Sequence, residues 1–246
     1  MATYNGARYV EKQIQSILPQ LRMDDELIIS DDSSTDDTVR IIAGIPDPRI
    51  KLHTNSRFRD PIKNFQNALQ FARGDYIFLS DQDDVWMKDK YGDMLSLLNH
   101  YDLVVSDSVV VDDDLNPIHP SFFSYLKSGK GVIKNIIKSS YYGSCMAFTK
   151  QIANLSVPFP ETKEIGHDLW IGLVAEMVGK VVFYHKPLLL YRRHDSAFTS
   201  TGLLGSNRTA FQKLNGRFTM VKEVVKFYTK YKCYGKGARV DHYSDV

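Results

Sequence analysis

Residues 80–86 read Ser80-Asp81-Gln82-Asp83-Asp84-Val85-Trp86 and directly follow the apolar run Tyr76-Ile77-Phe78-Leu79. Three carboxylates within four positions repel one another unless something positive sits between them. Oxygen-rich sites of this kind hold hard divalent cations, and Mg²⁺ commonly takes one or two carboxylates while leaving other positions to water and substrate phosphates. The bland alternative is a solvated acidic turn. A second acidic group, Asp31-Asp32, follows another apolar run, Leu27-Ile28-Ile29. Neither is a calcium loop of the EF-hand type, which needs Gly at its sixth position and Glu at its twelfth. Counted from Asp81 those positions hold Trp86 and Gly92, and from Asp31 they hold Asp36 and Ile42. The dinucleotide fingerprint G-x-G-x-x-G is missing after the early strands, and so is the phosphate loop G-x-x-x-x-G-K-S/T. A strand-end site for a divalent cation is the chemistry that remains.

Both acidic groups need elements to hold them. Val10, Ile14, Ile17, Leu18 and Leu21 recur at helical spacing behind the Asn5-Gly6 turn. Residues 27–29, 50–54, 76–80 and 103–111 read as strands. Helices are expected from about residue 36, around Phe65–Ala72 with a stop at Gly74, and through Tyr91–Leu98. This alternation predicts an α/β domain with a mostly parallel central sheet and helices on both faces. Such folds bind ligands at the carboxyl ends of their strands. Thr3-Tyr4-Asn5, Asp31-Asp32 and Asp81–Asp84 are expected to converge there. Only Met1-Ala2 precede the first of these loops, so the sheet is expected to be weakened there unless something replaces an opening strand. The second half is less regular: residues 113–140 are loop-rich, 144–148 read as a strand, 169–178 as a helix, and 181–184 and 188–191 as strands.

The chain of 246 residues carries a net charge of +2, which gives no sign of a nucleic-acid binder. The charge is uneven: residues 206–246 hold nine Lys/Arg against three Asp/Glu, a net +6, so the rest carries −4. Two cysteines, Cys145 and Cys233, do not make a disulfide framework, and a reducing compartment is the simpler expectation. There is no bilayer-length apolar run and no charged-then-apolar leader, so a cytoplasmic protein is expected.

In chain order stand Ala2-Thr3-Tyr4-Asn5-Gly6, Ile29-Ser30-Asp31-Asp32-Ser33-Ser34-Thr35-Asp36, residues 74–86 with the Asp81-Gln82-Asp83 triplet, Gly166-His167-Asp168-Leu169-Trp170, and residues 187–194 ending in Tyr191-Arg192-Arg193-His194. This ordered set resembles family-2 glycosyltransferases of the GT-A fold, and more narrowly the bacterial rhamnosyltransferase-like group. The resemblance implies an inverting, metal-dependent transfer of a sugar from a nucleotide-diphosphate donor, dTDP- or UDP-linked, to a saccharide acceptor, commonly lipid-linked, in cell-surface polysaccharide synthesis. It implies that Thr3 and Tyr4 line the nucleotide pocket with Asn5 nearby, and that Asp32 accepts a hydrogen bond from the base. Asp81 and Asp83 match the metal motif for Mg²⁺ or Mn²⁺, with Asp83 the direct ligand and Asp81 toward the ribose; the role of Asp84 stays open. Asp168 matches the carboxylate that deprotonates the acceptor hydroxyl, although by residue type alone it reads as a helix cap. His194 matches a position near the metal or diphosphate and could instead be structural. Arg192 and Arg193 could offset diphosphate charge, and Trp86 and Trp170 could stack on acceptor sugar or belong to the core. Cys145 reads as a small buried residue. The implied division is a catalytic domain over about 1–205, its nucleotide-sugar half about 1–112 and its acceptor half about 113–205, followed by a tail over 206–246. The competing functions are a metal-dependent nucleotidyl- or phosphotransferase and a non-catalytic sugar binder on a decayed scaffold of the same type.

The tail interleaves Phe211, Phe218, Phe227, Tyr228, Tyr231 and Tyr234 with lysines and arginine. Apolar residues at 218, 221, 224, 225, 228 and 231 fall on one helical face. Two readings are open: a terminal helix packed on the domain, or an interfacial helix whose aromatics sit at lipid headgroups while its lysines meet anionic lipid.

Overall fold

A computed structural model describes residues 1–54, 57–193 and 209–235. The elements in the first half are β1 (Ala2–Thr3), α1 (Val10–Ile17), β2 (Leu27–Asp31), α2 (Thr38–Ala43), β3 (Ile50–His53), α3 (Pro61–Phe71), β4 (Tyr76–Phe78), β5 (Val85–Trp86), α4 (Lys90–Leu98) and β6 (Leu103–Val111). The second half adds β7 (Pro117–His119), α5 (Phe122–Leu126), α6 (Val132–Ile137), β8 (Met146–Thr149), α7 (Lys150–Ser156), α8 (His167–Val178), β9 (Val181–Arg192) and α9 (Ala210–Gly235).

Local signals explain several boundaries. Asp60 caps α3 by accepting from Ile62 N at 2.8 Å, and Pro61 occupies the first helical position, where its missing N–H costs nothing. Thr149 caps α7 in the same way through Ile152 N. In α8 every residue from Leu169 to Ala175 is buried, so this helix is interior rather than amphipathic.

The strands form two sheets. A parallel three-stranded sheet has the order β1-β2-β3, and a six-stranded sheet has the order β4-β8-β6-β9-β5 with β7 on β6. The α/β architecture is the expected one, but the strand directions are more mixed than strand–helix alternation suggests. In the larger sheet only β6 and β9 run parallel, while β4–β8, β5–β9, β6–β7 and β6–β8 are antiparallel. A parallel neighbour requires a crossover, and the chain from β6 to the long β9, ending in α7 and α8, provides it. The irregular stretch before β8 carries no such constraint, and β8 enters against β6.

β6 lies at the centre with helices on both faces. Val104 packs with Met94 and Leu98 of α4, whereas Leu103 and Val105 turn the other way into the main core with Ile171 and Val174 of α8. This alternation is the two-residue period of a strand buried on both sides.

At the edge where an opening strand was expected, β1 keeps two residues. Met1 extends the ladder, its N donating to Ile28 O at 2.7 Å and its O accepting from Ser30 N at 3.0 Å. Beyond Met1 lies a cavity of about 700 Å³ lined by Leu27 and Ile28 of β2, Ile77 and Phe78 of β4, and Phe65 and Leu69 of α3. The cavity thus lies between strands of the two sheets. Among the described residues no helix is long and apolar enough to cross a membrane.

Candidate active site

The acidic loop follows β4 and is tied down from four directions. Gln82 clamps the loop after β1, accepting from Tyr4 N at 2.8 Å and donating to Tyr4 O at 3.0 Å. That clamp requires glycine at position 6, since a Cβ there would stand 2.3 Å from the Gln82 amide oxygen. From α1, Gln13 donates to Ser80 Oγ at 2.7 Å and to Asp81 O at 3.1 Å. From the turn before β8, Ser144 Oγ donates to Asp81 Oδ2 at 2.7 Å and accepts from Asp81 N at 3.1 Å. From the end of β9, Arg192 N donates to Asp84 Oδ1 at 2.9 Å and Arg192 Nε to Asp83 O at 2.7 Å.

The resulting electrostatics are strained in one direction. Burial, then Asp83, push the Asp81 carboxyl up to about 6. Asp84 is 1% exposed, and burial followed by the charges of Asp83 and Asp81 raises it well above the ordinary carboxylate range. Its Oδ2 is buried without a hydrogen-bond partner among the described residues. Negative groups crowded this way, one with an orphaned oxygen, are the donor set that a hard cation relieves. Among the described residues no three His, Cys, Asp or Glu side chains enclose a metal by themselves. The crowded carboxylates and the unpartnered Asp84 Oδ2 fit a hard cation, a kind of ion that commonly takes water and phosphate oxygens as further ligands.

Asp168 faces the same region from α8. The helix cap is Gly166, not Asp168; Asp168 lies in the first turn and its Oδ1 accepts from the adjacent Leu169 N at 2.7 Å. Its carboxyl is pushed up to about 6 by burial, against the pull of neighbouring backbone N–H groups. Two consecutive residues connect it to the acidic loop. Gly143 lies against the 167–168 pair, where an added Cβ would come within 3.9 Å of Asp168 Cβ, and Ser144 holds Asp81. His167 stacks on Phe65 at 4.0 Å, its Nε2 has no partner among the described residues, and burial holds it down to about 4.

The remaining sequence candidates are placed as follows. Tyr4 is 54% exposed beside the loop. Asn5 adopts φ 47°, and its Oδ1 accepts from Thr35 N at 2.8 Å, which ties the first polar loop to the second. Thr3 is buried and donates to Asp31 Oδ2 at 2.8 Å, so it braces Asp31 at the end of β2. Asp32 is buried, its oxygens accepting from Phe58 N at 2.6 Å and Asp60 N at 3.3 Å. Each carboxylate oxygen keeps a second lone pair for a further donor. For both tryptophans the packing alternative is the one their contacts support. Trp86 packs against Phe78 with ring centroids 5.7 Å apart, and Trp170 donates to Ser156 O at 2.9 Å and meets Phe227 edge-on. At 6% and 5% exposure neither offers a face to a sugar. Arg192 is also corrected from a free counter-charge to a brace: it is buried, bonds the acidic loop and Asp113 O, and lies over the Tyr9 ring at 4.9 Å. Cys145 is buried and its thiol is pushed up to about 12, in keeping with an inert packing residue. His194 lies outside the described residues.

Sequence reasoning missed the bracing set: Gln13, Gln82, Ser144 and Lys90. Lys90 is fully buried, donates to Ser144 O at 2.7 Å and is lowered to about 8 by burial. It sits beneath the turn that holds Asp81. The one available signal was its position, a lysine beginning the helix that follows the acidic loop.

A profile described as Glycosyl transferase family 2 matches residues 1–155. The dTDP-rhamnosyl transferase RfbG of Shigella flexneri is 38% identical over 105 residues, 40% of this chain and 36% of that protein. The UDP-Glc:alpha-D-GlcNAc-diphosphoundecaprenol beta-1,3-glucosyltransferase WfaP of Escherichia coli is 36% identical over 186 residues, 72% of this chain and 69% of that protein. The chain thus spans about a third of the first relative and two thirds of the second. S. aureus TarS 1-349 in complex with UDP-GlcNAc shares the fold, with a TM-score of 0.66 at 17% identity over 89% of this chain and 71% of that one. Together with the strand-end acidic loop, the profile over residues 1–155 places the chain in glycosyl transferase family 2.

Proposed function

We propose that this chain transfers a hexosyl group, with inversion, from a nucleoside-diphosphate sugar to a hydroxyl of a saccharide acceptor. The observation that carries this reading is the pairing of two acidic sites across one turn: the crowded cluster at 81–84, held through Ser144, and the Asp168 carboxylate of α8, which lies against Gly143. A general base works best with a pKa near the operating pH, because it must be ionised yet still basic enough to take a proton. Asp168 removes the acceptor proton as the oxygen attacks the anomeric carbon, opposite the departing diphosphate. Tyr4, Asn5 and Asp32 hold the nucleoside, with Asp32 accepting from the base and Asp81 toward the ribose. Asp83 and Asp81, with Asp84 Oδ2 behind them, would hold Mg²⁺ or Mn²⁺, and His194 is proposed as a further ligand. Such a cation offsets the charge that gathers on the diphosphate as the glycosidic bond breaks. Arg192 and Lys90 keep the loop in place and do not touch the donor in this scheme.

The finer identities follow the relatives. The names of RfbG and WfaP specify dTDP-rhamnose and UDP-glucose chemistry for those proteins, and WfaP acts on a diphosphoundecaprenol acceptor. We propose a UDP- or dTDP-linked donor, rhamnose among the candidates, and a lipid-linked saccharide acceptor. Catalysis resides in residues 1–205, and 206–246 form an appended basic tail. The test is a panel of nucleotide sugars with Mn²⁺ and mixed saccharide acceptors. Release of nucleoside diphosphate with a glycosylated product supports the reading. Release of pyrophosphate or transfer of phosphate replaces it with nucleotidyl or phosphoryl transfer. Tight donor binding without turnover across the panel replaces it with a sugar-binding role.

A further inference from the structure

α9 carries two apolar stripes, and among the described residues only one of them is covered. Gly216 is buried, and Met220, Val224 and Phe227 pack against the main core, where Phe227 meets Trp170 with ring centroids 5.7 Å apart. On another side Phe211, Leu214, Phe218, Val221, Val225 and Tyr228 follow one another in steps of three and four, which keeps them in a single row along about 25 Å of helix. All six are exposed, Phe211 at 78% and Phe218 at 70%. A helix that needed its apolar residues only for packing would not place two of its largest ones in water.

The row does not end at α9. Arg217 reaches from its border to Ile137 O of α6 at 3.3 Å, which seats α6 beside the row. α6 exposes Ile133 at 77% and Ile137 at 58%. The segment 127–138 around them holds Lys127, Lys130, Lys134 and Lys138 and no acidic residue. α9 holds Lys213, Arg217, Lys222, Lys226, Lys230 and Lys232 against the single acid Glu223, which lies 3.6 Å from Lys226. The other acid near α6, Glu176, is turned inward to Tyr141, Asn135 and Gly131 N. Two elements far apart in sequence, joined by the Arg217–Ile137 bond, thus each present exposed apolar side chains among cations.

We propose that this α6–α9 face docks on an anionic lipid bilayer, with the aromatic and aliphatic row at headgroup depth and the lysines over the lipid charges. The charge decides between occupants. A second copy would set one strongly basic face against another, whereas an anionic leaflet complements it and the apolar row enters the headgroup region. The proposal rests on this surface and not on the transferase chemistry.

The test is co-sedimentation of the intact chain with vesicles of phosphatidylglycerol and phosphatidylcholine, and with phosphatidylcholine alone, at low and high salt. Binding is expected to the anionic vesicles at low salt and to weaken strongly at high salt. Lys222→Gln with Lys226→Gln should weaken it by on the order of tenfold or more, since each lysine near an anionic surface contributes about 1 kcal/mol. Ile133→Ser with Ile137→Ser, exposed positions whose replacement leaves the thermal midpoint in place, should weaken it by roughly tenfold while α9 is intact. No binding to anionic vesicles, or equal binding to neutral ones, overturns the proposal. Unchanged binding in the Ile133/Ile137 variant overturns the composite surface. Dimerisation without vesicles that Phe218→Ser abolishes assigns the row to a second copy instead. No donor or turnover enters these measurements, so their failure is separate from failure of the proposed reaction.

Discussion

Asp168→Asn should separate chemistry from stability. The Asp168 carboxyl is raised from the ordinary 3.8 to about 6, chiefly by burial. The folded protein therefore holds this proton more tightly than the unfolded chain does. Stability from this group is greatest below the unfolded value, falls as pH climbs through the interval up to about 6, and is flat above it. The difference of about 2 units corresponds to roughly 3 kcal/mol, at about 1.4 kcal/mol per unit. Because the residue keeps some exposure, that figure is a ceiling. Asparagine has the same shape, and its side-chain oxygen can still accept from Leu169 N, but it carries no charge to desolvate. The variant should match the parent in urea midpoint near pH 4 and exceed it near pH 8, by up to about 3 kcal/mol or several degrees in thermal midpoint. Transfer should fall by about 10²–10⁴ while donor affinity, read by calorimetry, is retained. The parent's kcat/KM should show an acid limb centred near 6. A variant that loses stability at pH 8, or loses donor binding together with activity, would show that the carboxylate holds structure or donor, and the assignment as base would be wrong.

Asp83→Ala should cost about 3–4 kcal/mol of transition-state stabilisation, and excess chelator should abolish turnover of the parent until Mn²⁺ or Mg²⁺ is restored; full activity in chelator refutes the metal reading. Lys90→Met keeps the length of a fully buried side chain but leaves Ser144 O without its donor, so stability should fall by about 1–3 kcal/mol and donor KM should rise as Asp81 loosens; an unchanged KM in the folded variant would confine Lys90 to stability. Trp170→Ala should lower stability by about 3–5 kcal/mol, as loss of a core side chain does, with the acceptor KM of the surviving fold unchanged. Gly6→Ala should disrupt the Gln82 clamp, because its new Cβ would overlap the amide at 2.3 Å; nucleotide affinity measured by titration should fall, and an unchanged value would show that the clamp does not position Tyr4.

What could be read from the chain alone was whatever depends on neighbours in sequence. Apolar runs closed by acids marked the ends of β2 and β4, because strand burial and strand-end polarity are local patterns. Phe65, Ala68, Leu69 and Ala72 marked a helix for the same kind of reason, whereas its start at Pro61 and the Asp60 cap came from the fold. Side-chain patterning says that a strand is buried but not which way its neighbour runs, so the mixed larger sheet became visible only in the ladders. The aromatic type of Trp86 and Trp170 suited both sugar stacking and packing, and their contacts with Phe78 and Phe227 became visible only in the fold. The clamp of Gln82 on Tyr4 spans 78 residues and the Ser144–Asp81 bond spans 63, separations at which sequence carries no spacing rule. In α9 the periodicity named one face at 218, 221, 224, 225, 228 and 231, and the fold divides it. Val224 packs inward beside Met220 and Phe227, while Phe218, Val221, Val225 and Tyr228 stay outside. A helix with two apolar stripes has no internal reason to prefer either, and contact with α6 and α8 makes the choice.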